Sequence, residues 1–233
     1  MMGVLPRRRR SRIVVTLTLT IVVIAGMVAI AYLTPLMSVR NTDISDNRTV
    51  SGAQILDAAK VAPGTPLLQV DTAAVANRIA AIPSVESARV QRSYPSTLRI
   101  SITERVPVAL VPEGDKLHVL DKSGVAYLTY ASSTAPPAIK KLPRFETATP
   151  GPADPTTRAA LGVVATLPPQ LSALVLKVTA TSPVDIQFTL TKGRTVIWGD
   201  DSRGEEKART LGYLLTRNAT QYNVSAPSFP TYR

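Results

Sequence analysis

The chain contains no cysteine and only one histidine, His118, among its 233 residues. Without disulfide bonds, any folded part must be held together by burial of an apolar core. Sites for transition metals usually need several cysteine or histidine ligands, and this sequence does not supply them. The composition therefore argues against a disulfide-rich scaffold and against a metalloenzyme.

The sequence also lacks the short motifs that mark common enzyme classes. It has no G-x-S-x-G nucleophile elbow, no P-loop, no H-E-x-x-H zinc motif and no serine followed three residues later by lysine. Two acidic pairs, at 200–201 and 205–206, flank a loop and the start of a predicted helix, where acids complement the helix dipole. We therefore predict no catalytic residue, no cofactor and no metal, while a membrane-anchored cell-wall enzyme stays an alternative.

One long apolar run is present near the start of the chain. Residues 13–33 are 21 consecutive uncharged residues, and a helix of that length spans about 31 Å, close to the ~30 Å of a bilayer core. A basic cluster precedes the run and favours a cytoplasmic N-terminus; its members are Arg7, Arg8, Arg9, Arg10 and Arg12.

This pattern predicts a cytoplasmic tail over residues 1–12, a transmembrane helix over 13–33, and a single-pass type II protein of the plasma membrane. A cleaved signal peptide ending at Ala29-Ile30-Ala31 is the alternative, although the apolar run exceeds the usual 7–15 residues. The rest of the chain then lies outside the cytoplasm.

The net charge of +11 divides unevenly along the chain. Five basic residues lie in the leader, where they set topology and contact anionic lipid, which leaves 22 basic and 16 acidic residues elsewhere. No recognition helix or base-stacking motif accompanies this moderate excess. We predict contact with membrane lipid and no binding of nucleic acid.

The first exterior segment predicts a compact α+β unit. Residues 39–45 form an extended run, Ser51 with Gln54 forms a capping box, and Asp71 is a good N-cap for a second helix. Residues 85–92 and 98–102 then have strand patterns. The order strand-helix-helix-strand-strand allows two helices to cover one face of a sheet.

The remaining exterior residues predict a second unit of short strands and two longer helices. A proline-rich loop covers 136–155, helical patterns cover 157–166 and 204–217, and a last strand covers 221–226. Further strands are predicted at 108–111, 116–120, 125–128, 174–179, 186–190 and 195–198. We place the domain bounds at 37–106 and 107–233.

Several stretches resemble the FtsQ/DivIB family of bacterial cell-division proteins, whose small domain is a POTRA (polypeptide-transport-associated) fold. Tyr94 stands where that family usually has Trp, and Asn223 where it has Asp. The stretches that carry the resemblance are ISDNRTVS at 44–51, IPSVESARVQRSYP at 82–95, ITERVPVA at 102–109 and YNVSAPSFP at 222–230.

The resemblance implies a POTRA domain (β-α-α-β-β) followed by a mixed α/β domain with a mostly antiparallel sheet. It also implies a non-enzymatic scaffold at the division septum that binds FtsB and FtsL, contacts other divisome proteins such as FtsW and FtsI, and controls septal peptidoglycan synthesis. An accessory protein of secretion or outer-membrane assembly is the alternative, because such proteins also contain POTRA units.

The predicted binding mechanism is strand addition. If the last strand has an open edge, its unpaired backbone groups can pair with a partner segment. The predicted contact residues are Tyr213, Tyr222, Asn223, Val224, Ser225, Ala226, Pro227 and Phe229. A second partner surface is predicted on the POTRA unit at Val39, Arg40, Asn47, Val50 and Ser51.

Overall fold

The computed structural model describes residues 7–33 and 37–233, and for residues 7–13 and 28–33 it gives the backbone alone. Two compact units divide the chain, one reaching to Glu104 and the other running from Arg105 to Arg233. The α-helices are α1 (Arg7–Leu33), α2 (Gly52–Ala59), α3 (Thr72–Ala80), α4 (Pro137–Lys140), α5 (Pro155–Thr166), α6 (Pro169–Ser172) and α7 (Gly204–Leu214).

The strands divide between two sheets, one in each unit. The first sheet contains β1 (Asn41–Ser45), β2 (Val85–Ser93) and β3 (Thr97–Glu104). The second contains β4 (Ala109–Glu113), β5 (Lys116–Leu120), β6 (Ala126–Ala131), β7 (Arg144–Glu146), β8 (Val175–Ser182), β9 (Asp185–Leu190), β10 (Thr195–Gly199), β11 (Gln221–Asn223) and β12 (Thr231–Tyr232).

The predicted transmembrane segment, residues 13–33, lies within α1. Over the described part of the chain, no helix combines the length and the apolar character that crossing a membrane requires. Residues 1–6 of the predicted basic tail lie outside the described residues, as do the side chains of the five leader arginines. Membrane topology therefore stays a prediction.

The first unit has the predicted strand-helix-helix-strand-strand order. Strand β3 lies in the middle of the sheet, parallel to β1 and antiparallel to β2. The α2 and α3 helices begin at the predicted caps, since Ser51 Oγ accepts from the Gln54 N–H and Asp71 Oδ1 accepts from two backbone N–H groups. Val75 and Ile79 on α3, and Ile82 just after it, are buried in the core of this unit.

The second unit is built on a nine-stranded mixed sheet with the order β12-β11-β10-β9-β8-β7-β4-β5-β6. Five of its neighbouring strand pairs are antiparallel and three are parallel. The main core lies on one face of the sheet, where α5, α6 and α7 supply buried aliphatic side chains. A smaller cluster around Leu110, Leu117 and Val119 lies at the β4–β6 end.

The last predicted strand is shorter than the sequence indicates. The alternating pattern predicts extension over 221–226, whereas β11 ends at Asn223 and the chain turns there. Val224 still donates to the Ile197 carbonyl (2.9 Å), and the turn follows at Ser225, whose N–H (3.0 Å) and hydroxyl (2.7 Å) both donate to Asn223 Oδ1. Such a local side-chain bond competes with a strand ladder.

Candidate functional site

The edge of the second sheet differs from the predicted open edge. The prediction placed the final strand at the edge, but β11 has neighbours on both sides: β10 runs parallel to it and β12 antiparallel. The outer strand in the described chain is therefore β12. The open edge predicted for residues 221–226 is wrong, because the chain returns at 231 and covers it.

The backbone pattern shows which groups of β12 face away from the sheet. Gln221 and Arg233 exchange two hydrogen bonds, with N···O distances of 2.9 and 3.0 Å. Hydrogen-bonded and non-bonded pairs alternate along an antiparallel ladder, so the adjacent pair, Tyr222 and Tyr232, is non-bonded. The N–H and C=O of Tyr232 thus point outward, and Pro230, the next outward position, has no N–H to offer.

Two exposed tyrosines and an arginine lie beside this edge. Arg217 Nη2 donates to the Tyr213 hydroxyl at 2.9 Å, and its guanidinium carbon is 5.5 Å from the centre of the Tyr213 ring. Tyr232 lies within electrostatic range of the same guanidinium. Tyr213 is 62% exposed and Tyr232 53% exposed. We call Tyr213, Arg217 and Tyr232 the tyrosine–arginine patch.

The patch remains cationic under all physiological conditions. The hydrogen bond to Tyr213 raises the pKa of Arg217 above its ordinary value, and the Tyr213 and Tyr232 hydroxyls add to the effect. Arg217 therefore carries a permanent positive charge beside the Tyr213 ring and within electrostatic range of Tyr232. Surfaces that combine tyrosine and arginine are typical of protein–protein contact sites.

A shallow groove of about 400 Å³ crosses the same edge of the sheet. The groove is lined by Ile197, Gln221, Asn223, Thr231, Tyr232 and Arg233.

Three of the predicted contact residues are buried, so they are not part of the candidate binding site. Tyr222 and Val224 have no exposed surface and belong to the main core, and Pro227 is also buried. The Tyr222 hydroxyl shares its one proton between the backbone carbonyls of Arg217 (2.9 Å) and Ala219 (3.0 Å). It therefore fixes the connection between α7 and β11 rather than contacting a partner.

The other predicted residues are accessible but do not form one cluster. Phe229 is 84% exposed in the connection between β11 and β12, and Ser225 and Ala226 are exposed in the turn after β11. The half-buried Asn223 lines the groove. The structure thus adds Arg217 and Tyr232 to the site. The sequence around Phe229 does not predict β12, because a strand of two residues is too short to show an alternating pattern.

The predicted POTRA surface is also divided by burial. Val39 and Val50 are 4% exposed and belong to the core of the first unit. Neither side chain can therefore contact a partner on the surface of the folded unit. Arg40, Asn47 and Ser51 are exposed. Asn47 Nδ2 donates to the Val50 carbonyl at 3.1 Å, so its amide already has a structural role.

Residues in and after the 102–109 stretch stabilise the fold. Glu104 accepts hydrogen bonds from the N–H groups of residues 48–50 at 2.7 to 3.0 Å. Arg105 forms an ion pair with the buried Asp121, which also accepts from the backbone of the turn that follows. Gly124 in that turn has φ +81°, and a Cβ there would lie 2.7 Å from Thr157 Cγ2, so no larger residue fits.

The acidic pairs have structural partners as well. Asp200 contacts the ammonium of Lys207, and Glu205 and Glu206 occupy the first turn of α7. Among the described residues, no group of three or more His, Cys, Asp or Glu side chains is arranged to hold a metal ion.

Two family models match this chain. The model of the FtsQ-type POTRA domain matches residues 37–105, and the model of the C-terminal domain of cell division protein FtsQ/DivIB matches residues 109–224. The chain is therefore a POTRA domain followed by an FtsQ-type C-terminal domain, as the sequence motifs indicate.

Similar proteins bear the same family name. The Cell division protein FtsQ of Mycolicibacterium smegmatis is 50% identical over 87% of this chain and 59% of its own length, and that of Mycobacterium tuberculosis H37Rv is 48% identical over 89% and 64%. The chain thus spans about three fifths of these relatives. The FtsQ of Streptomyces bingchenggensis is 33% identical over 97% of this chain and 86% of its own length. The chain belongs to the FtsQ/DivIB family of cell-division proteins.

Proposed function

We propose that this chain is a non-enzymatic, bitopic membrane scaffold of the divisome, and that it binds an FtsB-like partner by strand addition at β12. In this role it links early and late division proteins, including FtsL, FtsW and FtsI, to septal peptidoglycan synthesis. The observation that carries the binding proposal is the outward-facing N–H and C=O of Tyr232 beside the tyrosine–arginine patch.

Among the described residues, backbone pairing at this edge is short. Tyr232 supplies one donor and one acceptor, and Pro230 ends the run of donors on its N-terminal side. So short an edge discourages pairing between copies of the chain. Affinity must then come largely from side chains, since one hydrogen bond contributes only ~1 kcal/mol.

The side chains beside the edge define the partner's chemistry. Arg217 and the exposed Arg233 place two positive charges near β12, and no acidic residue lines the groove. A strand with an acidic residue and an aromatic or aliphatic anchor would pair with the charge of Arg217 and pack on the Tyr213 ring. We therefore propose a partner segment of acidic and apolar character.

Two substitutions at one position separate backbone pairing from side-chain contact. Tyr232→Ala removes the ring, with an expected loss of ~2 kcal/mol in binding. Tyr232→Pro removes the ring and the outward N–H, so it is expected to bind a further ~5-fold more weakly than Tyr232→Ala. The measurement is calorimetric titration of the full chain in detergent with the exterior region of FtsB.

The internal ladder of β12 should survive both changes, because the Tyr232 N–H is not bonded to β11. Unfolding followed by the fluorescence of the single tryptophan, Trp198, checks this. Equal affinities for the proline and alanine variants would rule out strand addition at β12. Unchanged affinity for both would exclude this edge altogether.

The membrane anchor is proposed on the sequence of residues 13–33. Because these 233 residues contain no cysteine, single cysteines at Ser11 and Ser228 report topology without background labelling. In whole cells, an impermeant maleimide should label Ser228→Cys and leave Ser11→Cys unlabelled. Labelling of both, or of neither, would contradict a single span with its N-terminus inside.

The absence of catalysis is tested separately. The purified chain is expected to release no product from peptidoglycan fragments over hours of incubation. Turnover that survives repurification would favour the cell-wall enzyme over the scaffold.

A further inference from the structure

Three segments of the first unit meet at one end of its sheet. The Ser96 carbonyl, in the turn between β2 and β3, accepts from the N–H groups of Arg40 (2.9 Å) and Asn41 (3.2 Å). Val39 exchanges backbone hydrogen bonds with the loop after α2, donating to Thr65 (2.8 Å) and accepting from Gly64 (2.9 Å). The β2–β3 turn and the 60–66 loop are thus held against the segment by which the chain enters this unit.

An exposed aromatic residue lies in the turn at this end. Tyr94 is 54% exposed, and within the described residues its hydroxyl has no hydrogen-bond partner. An amphipathic ring with a free hydroxyl is typical of the boundary between water and lipid headgroups. Packing within the unit gives no reason for such a large ring to point outward here.

The charges of the first unit are distributed unevenly between this end and the rest of the unit. Segments 37–42, 60–70 and 92–98 contain three basic residues, namely Arg40, Lys60 and Arg92, and no acidic residue. The rest of residues 37–104 contains four basic and six acidic residues. The end that carries Tyr94 is therefore positive, and the remainder of the unit is negative.

The chain length fixes where this end lies relative to the proposed span. Three residues separate Leu33, the last residue of α1, from residue 37. Even fully extended, the connection reaches about 14 Å. Since residues 39–41 are bonded to the turn and the loop, the positive end must lie close to the point where the span leaves the bilayer.

We propose that the Tyr94 end of the POTRA unit docks on the membrane surface, with the Tyr94 ring among the headgroups of anionic phospholipids, Lys60 beside their phosphates, and the charges of Arg40 and Arg92, whose guanidinium is held by the Leu67 and Val70 carbonyls, adding long-range attraction. The inference rests on the proposed anchor at residues 13–33. Docking leaves the acidic remainder of the unit directed away from the membrane. This end has a net charge of +3 and the remainder a net charge of −2, so an anionic surface favours this orientation over its reverse.

The test compares two positions on the same strand–turn–strand element. Single cysteines at Ser96, in the turn, and at exposed Ser87, on β2, are spin-labelled in the full chain after reconstitution in vesicles of phosphatidylglycerol and phosphatidylcholine. The Ser96 label is expected to be shielded from a water-soluble relaxation agent, whereas the Ser87 label is fully accessible. Equal accessibility of the two labels would overturn the proposal.

Two further variants test the ring and the charge. Tyr94→Ala should expose the Ser96 label, and Lys60→Gln should lower the ratio of docked to free unit about fivefold, the effect of one basic residue near an anionic surface. Arg89→Gln, a charge change on the remainder of the sheet, is the matched control and should leave shielding unchanged. An equal effect of Arg89→Gln would point to net charge rather than to this end.

Failure of the anchor and failure of docking give different results. If the anchor fails, the chain does not float with the vesicles in a density gradient. If the chain floats and the Ser96 label is accessible, the anchor stands and the docking proposal is wrong. Shielding of Ser96 that persists in pure phosphatidylcholine would assign docking to the Tyr94 ring and reject the role of charge.

Discussion

The ammonium of Lys207 is fully buried, whereas the Asp200 carboxylate that neutralises it is 44% exposed. Lys207 also donates to the Asp200 carbonyl at 2.9 Å and lies 5.9 Å from the centre of the Trp198 ring. The pair joins the end of β10 to α7, the helix that carries Tyr213 and Arg217. The asymmetry in burial means that the two partners are not equivalent.

We expect Asp200→Asn to destabilise the second unit more than Lys207→Met does. The asparagine variant leaves a buried positive charge without its counter-charge, at an expected cost of ~2 kcal/mol. The methionine variant keeps most of the buried stem and leaves only a solvated carboxylate, at ~1 kcal/mol or less. Urea unfolding followed by Trp198 fluorescence measures both, and the reverse ranking would show that the lysine's carbonyl bond dominates.

Glu104 is expected to control the loop that follows β1. Its carboxylate accepts from three consecutive backbone N–H groups and from the Thr49 hydroxyl at 2.5 Å. Glu104→Gln removes the charge that strengthens these bonds, so amide exchange at residues 48–50 should accelerate about fivefold, or ~1 kcal/mol after screening by solvent. The exposed Asp57→Asn on α2 is the control and should leave those amides unchanged.

The same carboxylate predicts a pH dependence. Burial by itself would raise the pKa of Glu104, but the hydrogen bonds from Thr49 and from the N–H groups of Val50 and Arg48 outweigh it and lower the pKa from 4.5 to about 2. Protection of residues 48–50 should therefore be complete above pH 4.5 and be lost as the pH falls toward 2. Hydrogen exchange across that range measures it, and a transition above pH 5 would implicate another group.

Local signals in the sequence predicted the helix starts well. Ser51 and Asp71 act as N-caps because each places an oxygen acceptor beside unbonded backbone donors, and this requires only neighbouring residues. Strand β3 is predicted by the strict alternation of residues 98–102, since alternation reports the one buried face of a half-covered sheet.

The edge of the second sheet was not predictable in this way. Alternation around Tyr222 correctly indicates a buried face, but the same pattern arises in a central and in an edge strand. Which strand is outermost depends on the return of the chain at β12, a contact that no local pattern encodes. The same contact explains why the sequence predicts only Tyr213 of the tyrosine–arginine patch. Tyr232 comes near Arg217 only because β12 pairs with β11.

Tyr222 is expected to behave as a core residue and not as a contact residue. Tyr222→Phe removes the two hydrogen bonds to the carbonyls of Arg217 and Ala219, which are then left without this donor, at ~1 to 2 kcal/mol of stability. Affinity for the FtsB region should be unchanged once the chain is folded. A tenfold loss of affinity without loss of stability would show that Tyr222 contacts the partner directly.

The exposed aromatic residues should show the opposite behaviour. Tyr213→Ala leaves the core intact, because that ring is 62% exposed and, among the described residues, its hydroxyl bonds only to Arg217, so unfolding should shift by less than ~0.5 kcal/mol. Partner affinity should nevertheless fall by ~1 to 2 kcal/mol, since both the ring and the orientation of Arg217 are lost.

A matched control distinguishes specific binding at this patch from non-specific binding by exposed apolar side chains. Val184, in the turn between β8 and β9, is 68% exposed and lies outside the groove and the patch. Val184→Ala should change neither affinity nor stability. If Tyr213→Ala and Val184→Ala weaken partner binding equally, the affinity does not come from the α7–β12 edge, and the added strand must be sought elsewhere on the sheet.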